Sequence, residues 1–266
     1  MNQAKQQNSA LNKSKLFRNV LKNTTRTVSK YNLIEEDDRI LVCVSGGKDS
    51  LCMLSILQEM KRKAPFNFDI IAYTLDQGQP DFQKETLSEH YSTLGVEWHI
   101  EHFDTYKIVQ EKLDSDQTQC FLCSRMRRGI LYSEAKRLNA NKLALGHHAD
   151  DAIETLLMNL FYTGRLAGIA PELLNDAEDM TVIRPLMECL ESDLGELAEH
   201  LNLPVINCTV CGSQENLNRQ RIKRLISDEA KSNPYIRSSM KKAMQNVQMR
   251  HLWQPPEKHI ENEKSK

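Results

Sequence analysis

Short apolar runs and longer stretches of mixed character alternate along the chain from residue 39 onward. Each short run has the length of a buried strand, and the stretches between them carry apolar residues at helical spacing. The predicted strands are Arg39–Val44, Phe68–Leu75, Val96–His102, Lys142–Gly146 and Met180–Arg184. The predicted helices are Ser50–Lys63, one ending near Leu94, a short one at Tyr106–Leu113, Ser124–Leu138 and Asp150–Tyr162. Strands separated by helices predict an α/β fold, with a Rossmann-like parallel sheet and helices on both faces.

The same pattern predicts four parts along the chain. Residues 1–34 form a basic, partly disordered N-terminal extension, and residues 35–211 form the α/β domain. Residues 212–254 form a basic helical region, and residues 255–266 form a polar tail that we expect to be disordered. A chain of 266 residues can bury one sizeable core with a small appendage.

The formal net charge of −1 conceals two basic ends. Residues 1–30 carry seven Lys or Arg and no acid, whereas residues 212–250 carry nine bases and three acids. Such ends can bind a polyanion, although a basic helix face is equally often only solvated. No apolar run is long enough for a membrane span, and the polar N-terminus lacks a secretory signal, so we expect a cytoplasmic protein. In that reducing compartment, paired cysteines indicate metal or redox sites.

The string Ser45-Gly46-Gly47-Lys48-Asp49-Ser50 directly follows the first predicted strand. Glycines let the backbone approach a phosphate closely, and the amides of the following helix then point at the anion. Lys48 adds a cation, and the two serines add hydroxyl donors. Asp49 would repel a phosphate unless a cation lies between them, which points to Mg²⁺. The alternative is a glycine turn with solvated charges, which the full six-residue string disfavours.

Two C-x-x-C pairs are present, Cys120 with Cys123 and Cys208 with Cys211. This spacing lets two thiolates reach one metal from a single turn. A closed four-cysteine zinc site and an iron–sulfur cluster both fit the spacing. If only three cysteines held a [4Fe–4S] cluster, one iron would stay open to a ligand such as sulfide.

A third group of candidate residues follows the fourth predicted strand, in Gly146-His147-His148-Ala149-Asp150-Asp151. His147, Asp150 and Asp151 lie where ligands bind in parallel sheets, and the acids also fit simple helix capping. Asp76, after the second strand, could bind a ribose or base, or could form a turn.

Together these motifs resemble the tRNA 2-thiocytidine synthetase family of the PP-loop ATP pyrophosphatase superfamily. Leu75–Pro80, Val182–Leu186 and Cys211–Gln214 match the same family, with Gly78 and Asp81 as departures from its usual lysine and glycine. The resemblance implies ATP-dependent thiolation of cytidine 32 in tRNA, through adenylation of its C2 oxygen. It also implies Mg²⁺, a [4Fe–4S] cluster on Cys120, Cys123 and Cys211, a sulfur donor of the cysteine desulfurase type, and a homodimer. Cys208 has no assigned role.

Carried onto this chain, the resemblance implies catalytic roles for Lys48 and Asp49. The implied nucleotide-binding residues are Ser45, Gly46, Gly47, Lys48, Asp49, Ser50, Asp76, His147, Asp150 and Asp151. Basic residues in 1–30, Arg125–Arg128 and 219–242 would bind the tRNA backbone.

Two other functions stay open at this point. One is an adenylating tRNA ligase of the lysidine type with structural zinc, and the other is a non-enzymatic nucleotide-binding redox sensor. Cys43, Cys52 and Cys189 lie in apolar patterns and are predicted to be core residues.

Overall fold

The computed structural model describes residues 15–79, 82–105, 119–206 and 214–253, without the side chains of 119–124 and 214–216. The predicted short helix at Tyr106–Leu113 lies outside these residues, as do Asp81, residues 1–14 of the predicted N-terminal extension and the predicted tail 255–266.

A six-stranded sheet forms the centre of the described structure, in the order β3-β2-β1-β4-β6-β5. The strands are β1 (Arg39–Cys43), β2 (Asp69–Asp76), β3 (Glu97–His102), β4 (Lys142–Ala144), β5 (Glu172–Leu174) and β6 (Thr181–Ile183). All neighbouring pairs are parallel except β5 with β6, which is antiparallel. The chain moves outward from β1 in one direction and from β4 in the other, so the strand order reverses between these two strands.

Eight α-helices lie within the described residues. They are α1 (Lys15–Tyr31), α2 (Lys48–Lys63), α3 (Lys84–Leu94), α4 (Gln119–Arg137), α5 (Ala149–Met158), α6 (Glu191–His200), α7 (Gln214–Ser232) and α8 (Ile236–Gln245). A π-helical turn, Asn159–Thr163, extends α5, and a 3₁₀ turn, Met249–His251, follows α8.

Alternating strand residues build two cores, one on each face of the sheet. Ile40 and Val42 of β1 pack in a core that includes α1, α2 and α6, whereas Leu41 between them packs in a second core with α4. Successive side chains of a strand point to opposite faces, so β1 contributes to both cores. Complete burial of all three residues identifies β1 as a central strand.

A third, smaller core joins the C-terminal helices to α5. Ile153 of α5 packs with Ile222 and Ile226 of α7, and Met240 and Met244 of α8 lie against them. This contact brings α7 and α8 alongside α5 rather than leaving them as a separate appendage.

The predicted parallel α/β sheet with helices on both faces is confirmed, and all five predicted strands are present. The extra strand β5 and helix α6 were not predicted. β5 has three exposed residues with no apolar–polar alternation, so it carries no local signal. The predicted helix Asp150–Tyr162 ends its regular α-helical part at Met158, and Gly164 terminates the π-helical turn in the left-handed region with φ 66°.

Candidate nucleotide site and cysteine segments

The candidate site lies at the carboxyl edge of the sheet, where β1 and β4 are neighbours. Adjacent crossovers leave these two strands in opposite directions, which opens a crevice above their ends. The glycine loop, Ser45–Ser50, follows β1, and residues Gly146–Asp151 follow β4. Two of the three sequence motifs therefore meet at the one position of the sheet where ligands bind in such folds.

The glycine loop leads directly into α2. Gly46 has φ 84°, and a Cβ there would lie 3.1 Å from Cβ of Ile206. The Ser50 hydroxyl donates to the Gly47 carbonyl at 2.8 Å and accepts from the Ser45 amide at 3.2 Å, which holds the turn closed. Gly47 is the N-cap of α2 and has no side chain to bind the first-turn amides. These amides are consequently available to an anion, with the helix dipole in its favour.

Gly146 allows the end of β4 to approach this loop. A Cβ at Gly146 would lie 3.1 Å from the amide nitrogen of Ser50 and 3.3 Å from the carbonyl carbon of Asp49. Both neighbours are backbone atoms, which cannot rotate away. The glycine in the Gly-His-His motif thus serves the packing of the two loops against each other.

The start of α5 is held by His148, which the sequence reasoning passed over in favour of His147. His148 is the N-cap: its amide donates to Oδ2 of Asp151 at 3.0 Å, and its Nδ1 accepts from the Asp151 amide at 3.4 Å. Nε2 of this buried ring lies 3.3 Å from Oδ2 of Asp151 and 4.0 Å from Oδ2 of Asp49. A histidine with an acid three residues later reproduces the reciprocal pattern of a capping box, which is the signal that could have identified it.

His147 and Asp150 have partners of a different kind. His147 accepts a hydrogen bond at Nδ1 from Nε of Arg184 at 3.3 Å. Burial lowers the pKa of His147 to about 4, and the nearby Arg184 contributes in the same direction. Asp150 accepts from the Glu191 amide at 2.8 Å and from Nε of Arg237 at 2.9 Å, so it joins α5 to α6 and α8.

Lys48 and Asp49 form the charged centre of the site. Nζ of Lys48 lies 3.1 Å from Oδ2 of Asp49 and 3.2 Å from Oε1 of Glu191. Burial opposes the charged form of Lys48, but these two carboxylates outweigh it and raise the pKa of the lysine. The other oxygen of Asp49, Oδ1, is buried and has no hydrogen-bond partner among the described residues.

Acidic and basic residues from three helices continue this centre, and the sequence reasoning had assigned none of them to it. Glu191 binds Lys223 of α7 through both carboxylate oxygens, at 2.9 and 3.1 Å. Burial alone would raise the pKa of Glu191, but Lys223 and Lys48 hold it at about 2. Glu154 of α5 lies 3.6 Å from Arg219 and 3.7 Å from Lys223. Arg219 and Lys223, predicted to contact RNA, therefore face carboxylates of the site.

Asp76 ends β2 at the same edge and is engaged by its own neighbours. It accepts from the Gly78 amide at 2.9 Å and lies 2.8 Å from Nδ1 of His102. Nε2 of His102 lies 2.9 Å from Asp104, and the two carboxylates raise the pKa of the imidazole, Asp76 foremost. Gly78 has φ 75°, which explains a glycine in a turn closed by the Asp76 side chain. A nucleotide contact by Asp76 stays a prediction.

The cysteine pairs lie in or beside segments outside the described side chains. The backbone of Cys120 and Cys123 belongs to the N-terminal end of α4, which connects β3 to β4. Because both strands are parallel, α4 begins at the carboxyl edge of the sheet. Cys208 and Cys211 fall between residue 206 and residue 214, and Ile206 donates its amide to the Gly46 carbonyl at 2.8 Å. Cys52 and Cys189 are buried as predicted, and Cys43 is half-buried.

The glycine loop fits an Mg²⁺-bound triphosphate on three observations. The uncapped first turn of α2 can bind phosphate oxygens, the glycines leave room for them, and Oδ1 of Asp49 is a buried acceptor in need of a cation. Within the described residues, no group of three or more His, Cys, Asp or Glu could hold a metal alone. The fit of Cys120, Cys123 and Cys211 to a cluster concerns side chains beyond the described part.

Comparison with known proteins identifies the family to which the chain belongs. A family model for the PP-loop domain matches residues 13–230. A tRNA-cytidine(32) 2-sulfurtransferase from Aliivibrio salmonicida is 49% identical over 241 residues, covering 91% of this chain and 78% of the relative. The chain belongs to the tRNA-cytidine(32) 2-sulfurtransferase family of PP-loop proteins. This membership confirms the resemblance that the three motifs indicated.

Further comparisons agree with this family. A member from Vibrio cholerae is 47% identical over the same shares of both chains. A solved U34-tRNA thiolase from Methanococcus maripaludis, with its [4Fe-4S] cluster, has a TM-score of 0.72 and 23% identity. The superposition covers 90% of this chain and 81% of the thiolase chain, so the two proteins share the fold. None of the described helices is both long and apolar enough to span a membrane.

Proposed function

We propose that this protein is an ATP-dependent enzyme that converts cytidine 32 of tRNA to 2-thiocytidine. The observation that carries the proposal is the uncapped N-terminus of α2 beside the buried, unpartnered Oδ1 of Asp49, in a chain of this family. A helix terminus that binds phosphate and a carboxylate that needs a cation are the two requirements of a site for Mg²⁺-bound ATP.

The glycine loop would hold the pyrophosphate end of ATP. Amides of residues 47–50 and the hydroxyls of Ser45 and Ser50 would donate to phosphate oxygens, and Asp49 would retain Mg²⁺ with the phosphates. The cytidine O2 attacks the α-phosphorus, and pyrophosphate leaves. Lys48 and the positive end of α2 then stabilise the negative charge that develops on the leaving group.

The residues after β4 would hold the opposite wall of the nucleotide site. His148 holds Asp151 in the first turn of α5, and Nε2 of His148 lies 4.0 Å from Oδ2 of Asp49, so this ring lies between the two loops. Asp150 is held by α6 and α8. We assign Asp150, Asp151 and His147 to nucleotide positioning, and Asp76 to the ribose or base.

Sulfur transfer would use Cys120, Cys123 and Cys211 as ligands of a [4Fe–4S] cluster. When bound by three cysteines, such a cluster supplies one coordination position that is open to sulfur. Two structural observations support this placement: α4 begins at the edge of the sheet that bears the glycine loop, and Ile206, five residues before Cys211, bonds to that loop.

The substrate and partners complete the proposal. Arg125–Arg128 and the basic residues of 1–30 and 219–242 would bind the tRNA backbone, with an affinity that falls as salt rises. We further propose a cytoplasmic homodimer that receives sulfur from a donor of the cysteine desulfurase type.

The test is mass spectrometry of tRNA nucleosides from a strain that lacks this gene, compared with its parent. We expect selective loss of 2-thiocytidine and its restoration by the wild-type chain. Asp49→Asn should lower restoration roughly 100-fold or more, because the carboxylate that retains Mg²⁺ is lost. Asp69→Asn is the matched control, since Asp69 is exposed and its ion pairs within the described part of the chain are with Lys61 and Arg39, at the opposite edge of the sheet.

The contrary outcomes are specific. If 2-thiocytidine stays at its normal level and a different modified nucleoside is missing, the enzyme acts on another nucleoside, as an adenylating ligase would. Full restoration by Asp49→Asn would remove Asp49 from the mechanism.

A further inference from the structure

Lys223 is the one lysine of the described C-terminal helices that reaches the charged centre of the glycine loop. It lies on α7, 175 positions beyond Lys48 by residue number, and both ammonium groups bind Oε1 of Glu191, at 3.1 Å from Lys223 and 3.2 Å from Lys48. Two ammonium groups on a single oxygen are close enough to bind one phosphate group together. The third core, which packs Ile222 against Ile153, holds α7 in this position.

Solvent reaches this trio of side chains. Lys223 is 42% exposed, Glu191 34% and Lys48 32%, so a phosphate arriving from solution can reach both lysines. The side chain of Arg219, one turn earlier on α7, is 38% exposed, but its Nε is buried and lies 3.6 Å from the buried Glu154. Lys223 instead makes its hydrogen bonds to Glu191, which is 34% exposed, so a ligand from solution can replace them.

The charges of this centre favour such an exchange. Lys48 and Lys223 carry two positive charges, and their hydrogen-bonded carboxylates Asp49 and Glu191 carry two negative charges, so these four groups balance one another. Glu154 lies 3.7 Å from Lys223 and, among the described residues, forms no ion pair with Lys48. A pyrophosphate needs cations on its oxygens and is repelled by carboxylates. Once Mg²⁺ neutralises Asp49, Glu191 is the remaining carboxylate in competition with the phosphates for both lysines.

We propose that Lys223 is a ligand of the pyrophosphate part of the nucleotide, and that Glu191 holds Lys223 and Lys48 in place until the phosphates displace it. The proposal rests on the proposed binding of ATP at the glycine loop. It assigns to nucleotide binding a lysine that the sequence alone placed in the RNA-binding surface. Lys223 would bring α7 into the nucleotide site and so tie the C-terminal helices to the first half of the chain.

The test measures binding of Mg²⁺-pyrophosphate to the full chain by calorimetry, without RNA. We expect Lys223→Gln to weaken binding about tenfold, since one charge-assisted hydrogen bond is lost. Lys223→Arg should restore most of the affinity. Glu191→Gln should bind more tightly than the wild type, because it removes the competing carboxylate, an increase that a merely structural role would not produce.

Lys136→Gln is the matched control. Lys136 also pairs with a carboxylate, Asp179, but it lies in the last turn of α4 at the opposite edge of the sheet, and its replacement should leave the affinity unchanged. Far-ultraviolet circular dichroism verifies that each variant is folded.

Three outcomes would overturn the proposal. If Lys223→Gln keeps the wild-type affinity while Lys48→Gln loses it, the assignment of Lys223 is wrong and the ATP site stands. If Lys223→Gln keeps its affinity for Mg²⁺-pyrophosphate but binds tRNA more weakly than the wild type, Lys223 is an RNA contact instead. If the wild-type chain binds neither Mg²⁺-pyrophosphate nor Mg²⁺-ATP, the proposed function fails together with Lys223.

Discussion

At the scale of single residues, the glycine loop depends on where a Cβ is tolerated. Gly46 adopts φ 84° against Ile206, and Gly146 has no room for a side chain beside the backbone of Asp49 and Ser50. Both glycines belong to motifs that the sequence made conspicuous. Only the structure shows that Gly146 serves the neighbouring loop, because the contact joins residues about a hundred positions apart.

Gly146→Ala tests this contact. The added Cβ would lie 3.1 Å from the Ser50 amide nitrogen, so the end of β4 and the glycine loop must separate. We expect roughly tenfold weaker ATP binding, because a small displacement of phosphate-binding amides is costly. Gly129→Ala is the control: Gly129 lies in α4 with open space around it, and alanine there should stabilise the protein by about 0.5–1 kcal/mol. Equal ATP dissociation constants for both variants, measured by calorimetry, would show that the loops can adjust.

At the scale of elements, α5 and α7 meet through a buried carboxylate. Glu154 of α5 is 2% exposed, and its Oε2 has no hydrogen-bond partner among the described residues. Burial raises its pKa from 4.5 to about 7, with Asp151 and Glu191 adding to the rise and Lys223 and Arg219 opposing it. The packing of α5 against α7, which positions Lys223, therefore also buries Glu154, and this burial disfavours the charged form of the carboxylate.

Glu154→Gln should change how stability depends on pH. Between pH 4.5 and about 7 the folded protein keeps a proton on Glu154 that the unfolded chain has released, so this residue lowers the free energy of unfolding as pH rises. The glutamine variant lacks this loss and should gain stability relative to the wild type from pH 5 to pH 8. Urea denaturation at both pH values measures the difference.

The comparison between variants is necessary because His147 acts in the opposite direction. Its lowered pKa makes stability rise between about pH 4 and pH 6.5 in every variant. Glu199→Gln is the control, since Glu199 is exposed on α6. If Glu154→Gln shows the same pH dependence as this control, Glu154 is charged in the folded protein throughout the range.

At the scale of the whole molecule, one carboxylate joins the two ends of the described chain. Glu188, which follows β6, is 8% exposed and binds Arg26 and Lys30 of α1 at 3.1 and 3.8 Å and Lys241 of α8 at 2.7 Å. Burial opposes its charge, but Lys241, Arg26 and Lys30 together lower the pKa of Glu188. Several bases that give the chain its two positive ends are consequently used inside the structure.

Glu188→Gln should loosen both ends together. Loss of the carboxylate leaves three cations beside each other without their anion, and we expect the free energy of unfolding to fall by about 2 kcal/mol. Amide hydrogen exchange should accelerate in α1 and in α8, whereas Glu172→Gln on the exposed strand β5 should change neither helix. Acceleration in only one of the helices would contradict a shared anchor.

The prediction of the fold from sequence succeeded where the signal is local. Continuous apolar residues predict buried strands such as β1, and the six-residue string Ser45–Ser50 predicts the glycine loop. β5 was missed because three exposed residues carry no periodicity. Helix α6 does carry a local signal, since its buried residues Leu194, Leu197 and Ala198 have helical spacing, and the prediction overlooked it.

By itself, the sequence determined the strand–helix alternation, the glycine loop, the family and the residues of three motifs. These are properties of neighbouring residues, and spacing along the chain is enough to express them. Tertiary structure alone decided which charges meet: Glu191 lies 143 positions from Lys48 and 32 from Lys223. No local pattern encodes such a pair, because its members are brought together only when α6 and α7 pack onto the edge of the sheet. For that reason a lysine that the sequence assigned to an RNA surface lies beside the candidate nucleotide site.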